Sequence, residues 1–267
     1  MDKLGLIAGN GVFPIEVAKY ARQRGITVIA VAHQGETGPD IESAASAVTW
    51  IKIGELQKIV DAFSAAGVTE AAMAGGISRA RLKDSFAPDA RALAMLSRIG
   101  RLSDDSILRG VAAEVESAGI KMIDPVPMIP HWLAPAGVAA GSVPDVARMR
   151  DLKLAFSVAR QIGRLDIGQT VAVRDGMVAA VEALEGTDAA LRRAAALVGP
   201  GLVVAKAAKP GQDLRFDRPA IGPATIELMG EIGAALIGLE AGVALVLECS
   251  RTLALAKEKG ITVYGDG

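Results

Sequence analysis

Between residues 3 and 125, short apolar runs alternate with segments of helical pattern, and this alternation constrains the fold more than any other feature of the chain. "KLGLIA" is a buried-strand run that ends in "GNG". Pro14, favoured at a first helical position, then opens "PIEVAKYARQRG", with Gly25 as the stop. "ITVIAVA", "VTWIKI" and "EAAMAGG" read as further strands, with the helix "ELQKIVDAFSAAG" before the last of them. A capped helix, "SDDSILRGVAAEVESAG", leads to a final strand "IKMID". Strands that alternate with helices predict a mostly parallel sheet covered on both faces, a Rossmann-like domain.

Ligands of such sheets gather at the carboxyl ends of the strands, where "AGNG", His33, "AGGISR" and Asp124 fall. Gly9 and Gly11 match the first two glycines of the dinucleotide fingerprint, but Pro14 stands at the third. The second strand ends in His33-Gln34, without an obvious acidic residue to grip a ribose, which disfavours a nicotinamide cofactor. Gly11 therefore fits either a phosphate-binding turn or an ordinary strand-to-helix turn. Gly75 and Gly76 allow close backbone approach to a ligand, and they equally suit a plain turn.

"DPVPMIPHWLAPAGV" holds four prolines between Pro125 and Pro135, which defeats both helix and central strand. Its apolar residues, Val126, Met128, Ile129, Trp132 and Leu133, predict packing between domains or an apolar binding surface. The expected organisation is a domain over 1–128, a Pro-rich linker over 129–145 and a second α/β domain over 146–267. In that second domain "DVARMRDLKLAFSVARQIG" is an amphipathic helix, and "TVAVRDGMVAAVEA" is a hairpin turning at Asp175-Gly176. "EGTDAALRRAAALVG" starts a helix capped by Thr187 or Asp188. The strand "GLVVAKAAKP", helix "PATIELMGEIGAALIG", strand "VALVLE", helix "RTLALAKEKG" and strand "ITVYG" complete a mixed sheet.

Several function classes fall away. A formal net charge of −1, with 22% charged residues, supplies no basic field for nucleic acid. A lone Cys249 excludes an intrachain disulfide and suits a reducing, cytoplasmic setting. The most apolar window, "IGAALIGLEAGVALVLE", carries Glu240 and Glu248, so a helix and a buried strand are expected there rather than a membrane span. No secretory leader is expected at "MDKLGLIAGNG". Zinc-type Cys/His spacing, a P-loop and a G-x-S-x-G elbow are all missing. The sequence assigns no oligomeric state.

The stretch "AKPGQDLRFDRPAIGPATIE", residues 207–226, carries the most chemistry. Read as extended chain, Asp213, Arg215 and Asp217 share one face, about 7 Å apart. Two carboxylates in that spacing can hold Mg²⁺ while the arginine grips a phosphate bidentately, with Lys206 and Lys209 adding positive charge. Pro223 marks a helix N-terminus, which attracts phosphate. The competing reading is a solvated row of ion pairs on a strand edge.

"LGLIAGNGVFP", "AGGISR", "ALEGTDAAL" and "KPGQDLRFDRPAIGP-TIE" occur in order over essentially the whole chain, and together they resemble the LpxI-type UDP-2,3-diacylglucosamine diphosphatases. The resemblance implies a Rossmann-like domain, a C-terminal α/β domain, and a ligand bound between them. It implies Mg²⁺-dependent hydrolysis of UDP-2,3-diacylglucosamine in lipid A biosynthesis. Water attacks the uridine-side phosphorus and releases UMP and 2,3-diacylglucosamine 1-phosphate (lipid X). A lipid product adds contact with the inner face of the inner membrane to the expectation. Asp213 and Asp217 are then the candidate catalytic and metal residues. Gly11, Gly75, Gly76, Asp124, Thr187, Asp188, Lys206, Lys209, Arg215 and Thr225 are the candidate binding residues. The family motif commonly has an aspartate after its last "GP", where this chain has Ala224. That departure predicts a chain that folds and binds substrate but hydrolyses it poorly. A non-catalytic lipid or nucleotide-sugar binding protein is the alternative, told apart by whether Ala224→Asp restores product release.

Overall fold

Each apolar run of the first 125 residues becomes a strand. β1 (Lys3–Ala8), β2 (Thr27–His33), β3 (Ala47–Ile51), β4 (Glu70–Ala74) and β5 (Lys121–Met122) form an all-parallel sheet in the order β3-β2-β1-β4-β5. Between them run α1 (Phe13–Gln23), α2 (Ile41–Ala44), α3 (Leu56–Ala65), α4 (Ala90–Arg98) and α5 (Asp104–Ser117). The computed structural model describes residues 1–78, 86–100 and 103–267. The chain divides into two units. Unit 1 comprises Met1–Pro130 with Asp213–Asp217, and unit 2 comprises His131–Gln212 with Arg218–Gly267.

The period of two along the strands of unit 1 sorts side chains by face. Ile7, Val31 and Met73 join Leu56, Ile59, Phe63 and Val115 from α3 and α5 in one core. Ala8, Ala30, Ala32, Ala72 and Ala74 are fully or almost fully buried, small residues that let a helix approach the sheet closely. Helix α5 opens on a capping box: Ser103 accepts from the Ser106 amide and Ser106 reaches back to Ser103. Asp104 and Asp105 lie in its first turn, where carboxylates favour the helix dipole.

Unit 2 centres on a six-stranded mixed sheet in the order β6-β13-β11-β9-β7-β8. Its strands are β6 (Gly137–Ala140), β7 (Thr170–Arg174), β8 (Met177–Val181), β9 (Val203–Lys206), β11 (Leu236–Glu240) and β13 (Thr262–Asp266). A separate parallel pair joins β10 (Ala220–Ile221) to β12 (Leu245–Val246). Helix α6 (Val146–Arg164) packs Leu152, Ala155, Phe156 and Ala159 against Val171, Val203 and Leu236. A second core gathers Leu191, Ala194, Ile226, Met229 and Ala256 from α7 (Thr187–Val198), α8 (Pro223–Glu231) and α9 (Cys249–Glu258). Asp175 and Gly176 both take positive φ, the geometry of a two-residue hairpin turn between β7 and β8.

The structure corrects two expectations about elements. Residues 236–240, "LIGLE", belong to a central strand and not to the helix that begins at Pro223. Gly233, at φ +65°, ends that helix early, and the all-apolar run has no period to tell strand from helix. Residues 137–140, assigned to the linker, form the antiparallel edge strand beside β13. Around the prolines, Val126–Met128 and Pro130–Trp132 form single 3-10 turns, and Val126, Met128, Ile129 and Trp132 are buried. These apolar residues pack as core.

Candidate functional site

In unit 1 the loops that follow β1 and β4 meet at the point where the strand order reverses. The Gly9 amide donates to the Ala74 carbonyl and the Asn10 amide to the Gly76 carbonyl, each at 2.8 Å. A Cβ on Gly9 would lie 2.4 Å from the Gly76 oxygen, and one on Gly75 would lie 2.3 Å from the Asn10 oxygen. The glycines of "AGNG" and "AGGIS" thus serve the contact between two backbones. Gly75 also sits at φ +81°, so Gly75→Ala is expected to cost about 3 kcal/mol, from strain and steric clash together. Urea denaturation followed by circular dichroism measures that loss. Gly11, at φ +82°, faces open space and leads into α1. The Arg79 of "AGGISR" lies outside the described residues.

His33, at the end of β2, is buried, and its Nδ1 donates to the Ala8 carbonyl at 2.9 Å. Burial holds its pKa below 6.5, although the Ala8 bond and the Glu36 charge oppose the shift. The imidazole is therefore neutral in the folded protein, while the unfolded chain gains a proton as pH falls through about 6.5. Stability is fully present above that pH and declines as pH falls toward the folded value. A lower urea midpoint at pH 5.5 than at pH 7.5 is expected, and His33→Asn should reduce that difference. Asp124 accepts from the Val126 amide at 2.9 Å, shaping the turn that follows β5.

The Asp213–Asp217 segment is not the extended row that its alternation suggests. It turns: the Asp213 carbonyl accepts from the Phe216 amide at 3.0 Å and from the Asp217 amide at 3.3 Å. The Asp213 carboxylate accepts from the Arg215 amide and takes the Arg215 guanidinium at 2.7–3.3 Å. An aspartate two residues before a donor competes with extended backbone in this way. The segment belongs to unit 1, where Phe216 enters the core and the Asp213 amide donates to Asp105 in α5. Arg215 further reaches the Met122 carbonyl and Glu116, and its hydrogen bonds to Asp213 hold that carboxyl below the usual carboxylate range. A cation would have to displace Arg215 from Asp213. Among the described residues no three acidic, imidazole or thiol groups converge as a metal site. Held by Arg215, the Asp213 carboxylate does not fit Mg²⁺ in this arrangement.

Unit 2 brings other candidates together. Lys206, at the carboxyl end of β9, donates from Nζ to the Thr187 Oγ1 at 3.4 Å and to the Ala220 carbonyl at 3.0 Å. Thr187 is the first residue of α7, behind Gly186 at φ +83°, and Ala220 stands three residues before Pro223 opens α8. The ammonium thus joins the start of α7 to β10, the strand that precedes α8, and neither helix has a side-chain cap. Thr187 is not a cap. Its hydroxyl donates to Glu182 Oε1 at 3.0 Å and lies 3.3 Å from the Thr170 hydroxyl. Glu182 is buried and also accepts from the Gln169 amide at 3.3 Å, while the Gln169 side-chain oxygen is buried without a hydrogen-bond partner among the described residues. Asp188 and Ala224 are exposed in the first turns of α7 and α8, with Thr225 beside Ala224. Lys209, grouped with Lys206 by sequence, is instead tied to Asp166 at 2.6 Å.

Lysine and helix N–H groups together form an environment for anionic oxygen, the equipment of phosphoryl chemistry. Sequence reasoning missed Glu182. Its only signal was a carboxylate at a strand end, five residues before Thr187 in "EALEGT".

Family models described as the LpxI N-terminal and C-terminal domains match residues 3–132 and 135–264. A protein of Caulobacter vibrioides, "UDP-2,3-diacylglucosamine pyrophosphatase LpxI", is 38% identical over 276 aligned positions, which cover 99% of this chain and 98% of that protein. Among solved structures, phosphoribosylglycinamide synthetase from Anaerococcus prevotii aligns with 73% of this chain and 43% of its own, at 11% identity and a TM-score of 0.26. N5-carboxyaminoimidazole ribonucleotide synthetase from Thermotoga maritima aligns with 69% of this chain and 42% of its own, at 13% identity and a TM-score of 0.28. The chain thus spans less than half of either synthetase, and likeness at that level carries no weight for function.

Proposed function

The chain belongs to the LpxI family, and from that membership we propose that it acts on the diphosphate of UDP-2,3-diacylglucosamine in lipid A synthesis, as a hydrolase. The products are UMP and 2,3-diacylglucosamine 1-phosphate. The observation that carries this reading is the Lys206 ammonium held between the start of α7 and the approach to α8.

Hydrolysis forms a bond from water to the uridine-side phosphorus and breaks that phosphorus's bond to the bridging oxygen. The sugar 1-phosphate leaves, and the attacking water loses a proton. Negative charge grows on the bridging oxygen as the bond breaks. A fixed ammonium and helix N–H groups stabilise that charge more than the ground state. Glu182, through its bond from Thr187, orients the hydroxyl that meets Lys206. Ala224 gives the first turn of α8 no carboxylate to orient water, and we infer slow turnover for this chain. Among the described residues no helix is long and apolar enough to cross a membrane. Contact with a membrane surface belongs to the proposal because one product is a lipid. Formation of UMP from UDP-2,3-diacylglucosamine, resolved by mass spectrometry, tests the reading, and a substrate that stays intact and unbound contradicts it.

A further inference from the structure

Glu36 follows β2 by three residues, in the turn "QGET", and its side chain folds back beneath the loops of unit 1. It is 8% exposed. Its Oε2 accepts from the Asn10 side-chain amide at 2.9 Å and from the Ser78 backbone amide at 3.1 Å. The carboxylate therefore ties the loop after β1 to the loop after β4, and Asn10 completes the tie by accepting from the Gly76 amide at 3.3 Å. Its second oxygen, Oε1, is buried and has no hydrogen-bond partner among the described residues. A carboxylate oxygen left without a donor in a dry site is costly, and the cost is removed when a donor arrives. The place is informative. In a parallel sheet ordered β3-β2-β1-β4-β5, a ligand enters between the carboxyl ends of β1 and β4, and an acidic residue after the second strand receives the ribose hydroxyls.

We infer that Glu36 is the ribose acceptor of unit 1, and that its Oε1 takes a hydroxyl of a nucleotide bound at the carboxyl ends of β1 and β4. The inference rests on the proposed reaction only for the identity of the nucleoside. The rim of the turn is open: Gly75 and Gly76 are exposed and Asn10 and Ser78 partly so. The neutral His33 beside this turn leaves the carboxylate without a competing ion-pair partner from β2.

The test is calorimetric titration of the full chain with UMP, with the 2′,3′-dideoxy analogue and with 3-methyl-UMP, which needs no turnover. A hydrogen bond to a charged acceptor is expected to make the dideoxy analogue at least about 10-fold weaker than UMP. Glu36→Gln should weaken UMP by a similar factor and bring the two ligands to within about 3-fold of each other. Equal binding of UMP and the dideoxy analogue by the unaltered chain overturns the assignment, as does no binding of UMP at all. So does a loss produced by 3-methylation rather than by removing the hydroxyls, because Oε1 would then read the base. If Glu36→Gln does not fold, the ligand series on the unaltered chain still decides. Hydrolysis without ribose discrimination would sink this inference and leave the reaction standing. Ribose discrimination without hydrolysis, even by Ala224→Asp, would do the reverse.

Discussion

Ala224→Asp is expected to raise UMP release from UDP-2,3-diacylglucosamine by about 10²-fold or more over the unaltered chain. Position 224 is exposed in the first turn of α8, so a larger side chain meets no packed neighbour there. The first turn carries no acidic residue and the helix has no side-chain cap, so a carboxylate also improves its interaction with the helix dipole, by about 0.3–1 kcal/mol. The substitution therefore costs the fold nothing, and a gain in rate reflects chemistry. Ala220, four residues before position 224, accepts from the Lys206 ammonium through its carbonyl. Paired initial rates for the two chains, with melting curves for both, decide the point. Equal rates would move the chemistry away from α8.

Lys206→Met is expected to lower kcat of the Ala224→Asp chain by about 10²–10³-fold, the usual cost of removing one fixed charged donor from a phosphoryl-transfer site. Methionine keeps much of the stem and deletes the charge. The lost bonds to Thr187 and Ala220 also loosen the link between the start of α7 and β10. Stability should fall by about 1–2 kcal/mol, because Lys206 is half-buried and the Thr187 hydroxyl and Ala220 carbonyl are neutral groups. Lys206→Arg separates the two effects. It restores charge without the same reach, so it should recover binding more than kcat. A Lys206→Met chain with unchanged kcat would remove the central residue from the account.

Much of the fold is legible in the sequence. Strand runs bounded by glycine, Pro14 and Pro223 at helix starts, and Asp175-Gly176 between two alternating strands each express a local rule that tertiary contacts reinforce. The central strand Leu236–Glu240 was not legible, because a fully buried strand has no polar face and hence no period. The Asp213–Asp217 row misled for the opposite reason. Its period of two is real, but Asp213 spends its carboxylate on Arg215 and its carbonyl on the following amides, which bends the chain. Phe216 is then buried in the core of unit 1, far in sequence from the rest of that unit. At the candidate sites, Lys206 and Thr187 were legible as residues but not as neighbours. Glu36 and Glu182 were invisible because an acidic residue in a turn looks solvated until burial is known.

The account's central claim is that this family member cleaves the uridine-side phosphorus of a nucleotide-linked lipid. Hydrolysis of UDP-2,3-diacylglucosamine by the unaltered chain and by Ala224→Asp, run in H₂¹⁸O, tests it most directly. The expected result is UMP that carries one ¹⁸O and unlabelled 2,3-diacylglucosamine 1-phosphate, formed far faster by Ala224→Asp. Label in the lipid phosphate, or no UMP from either chain, would contradict the account.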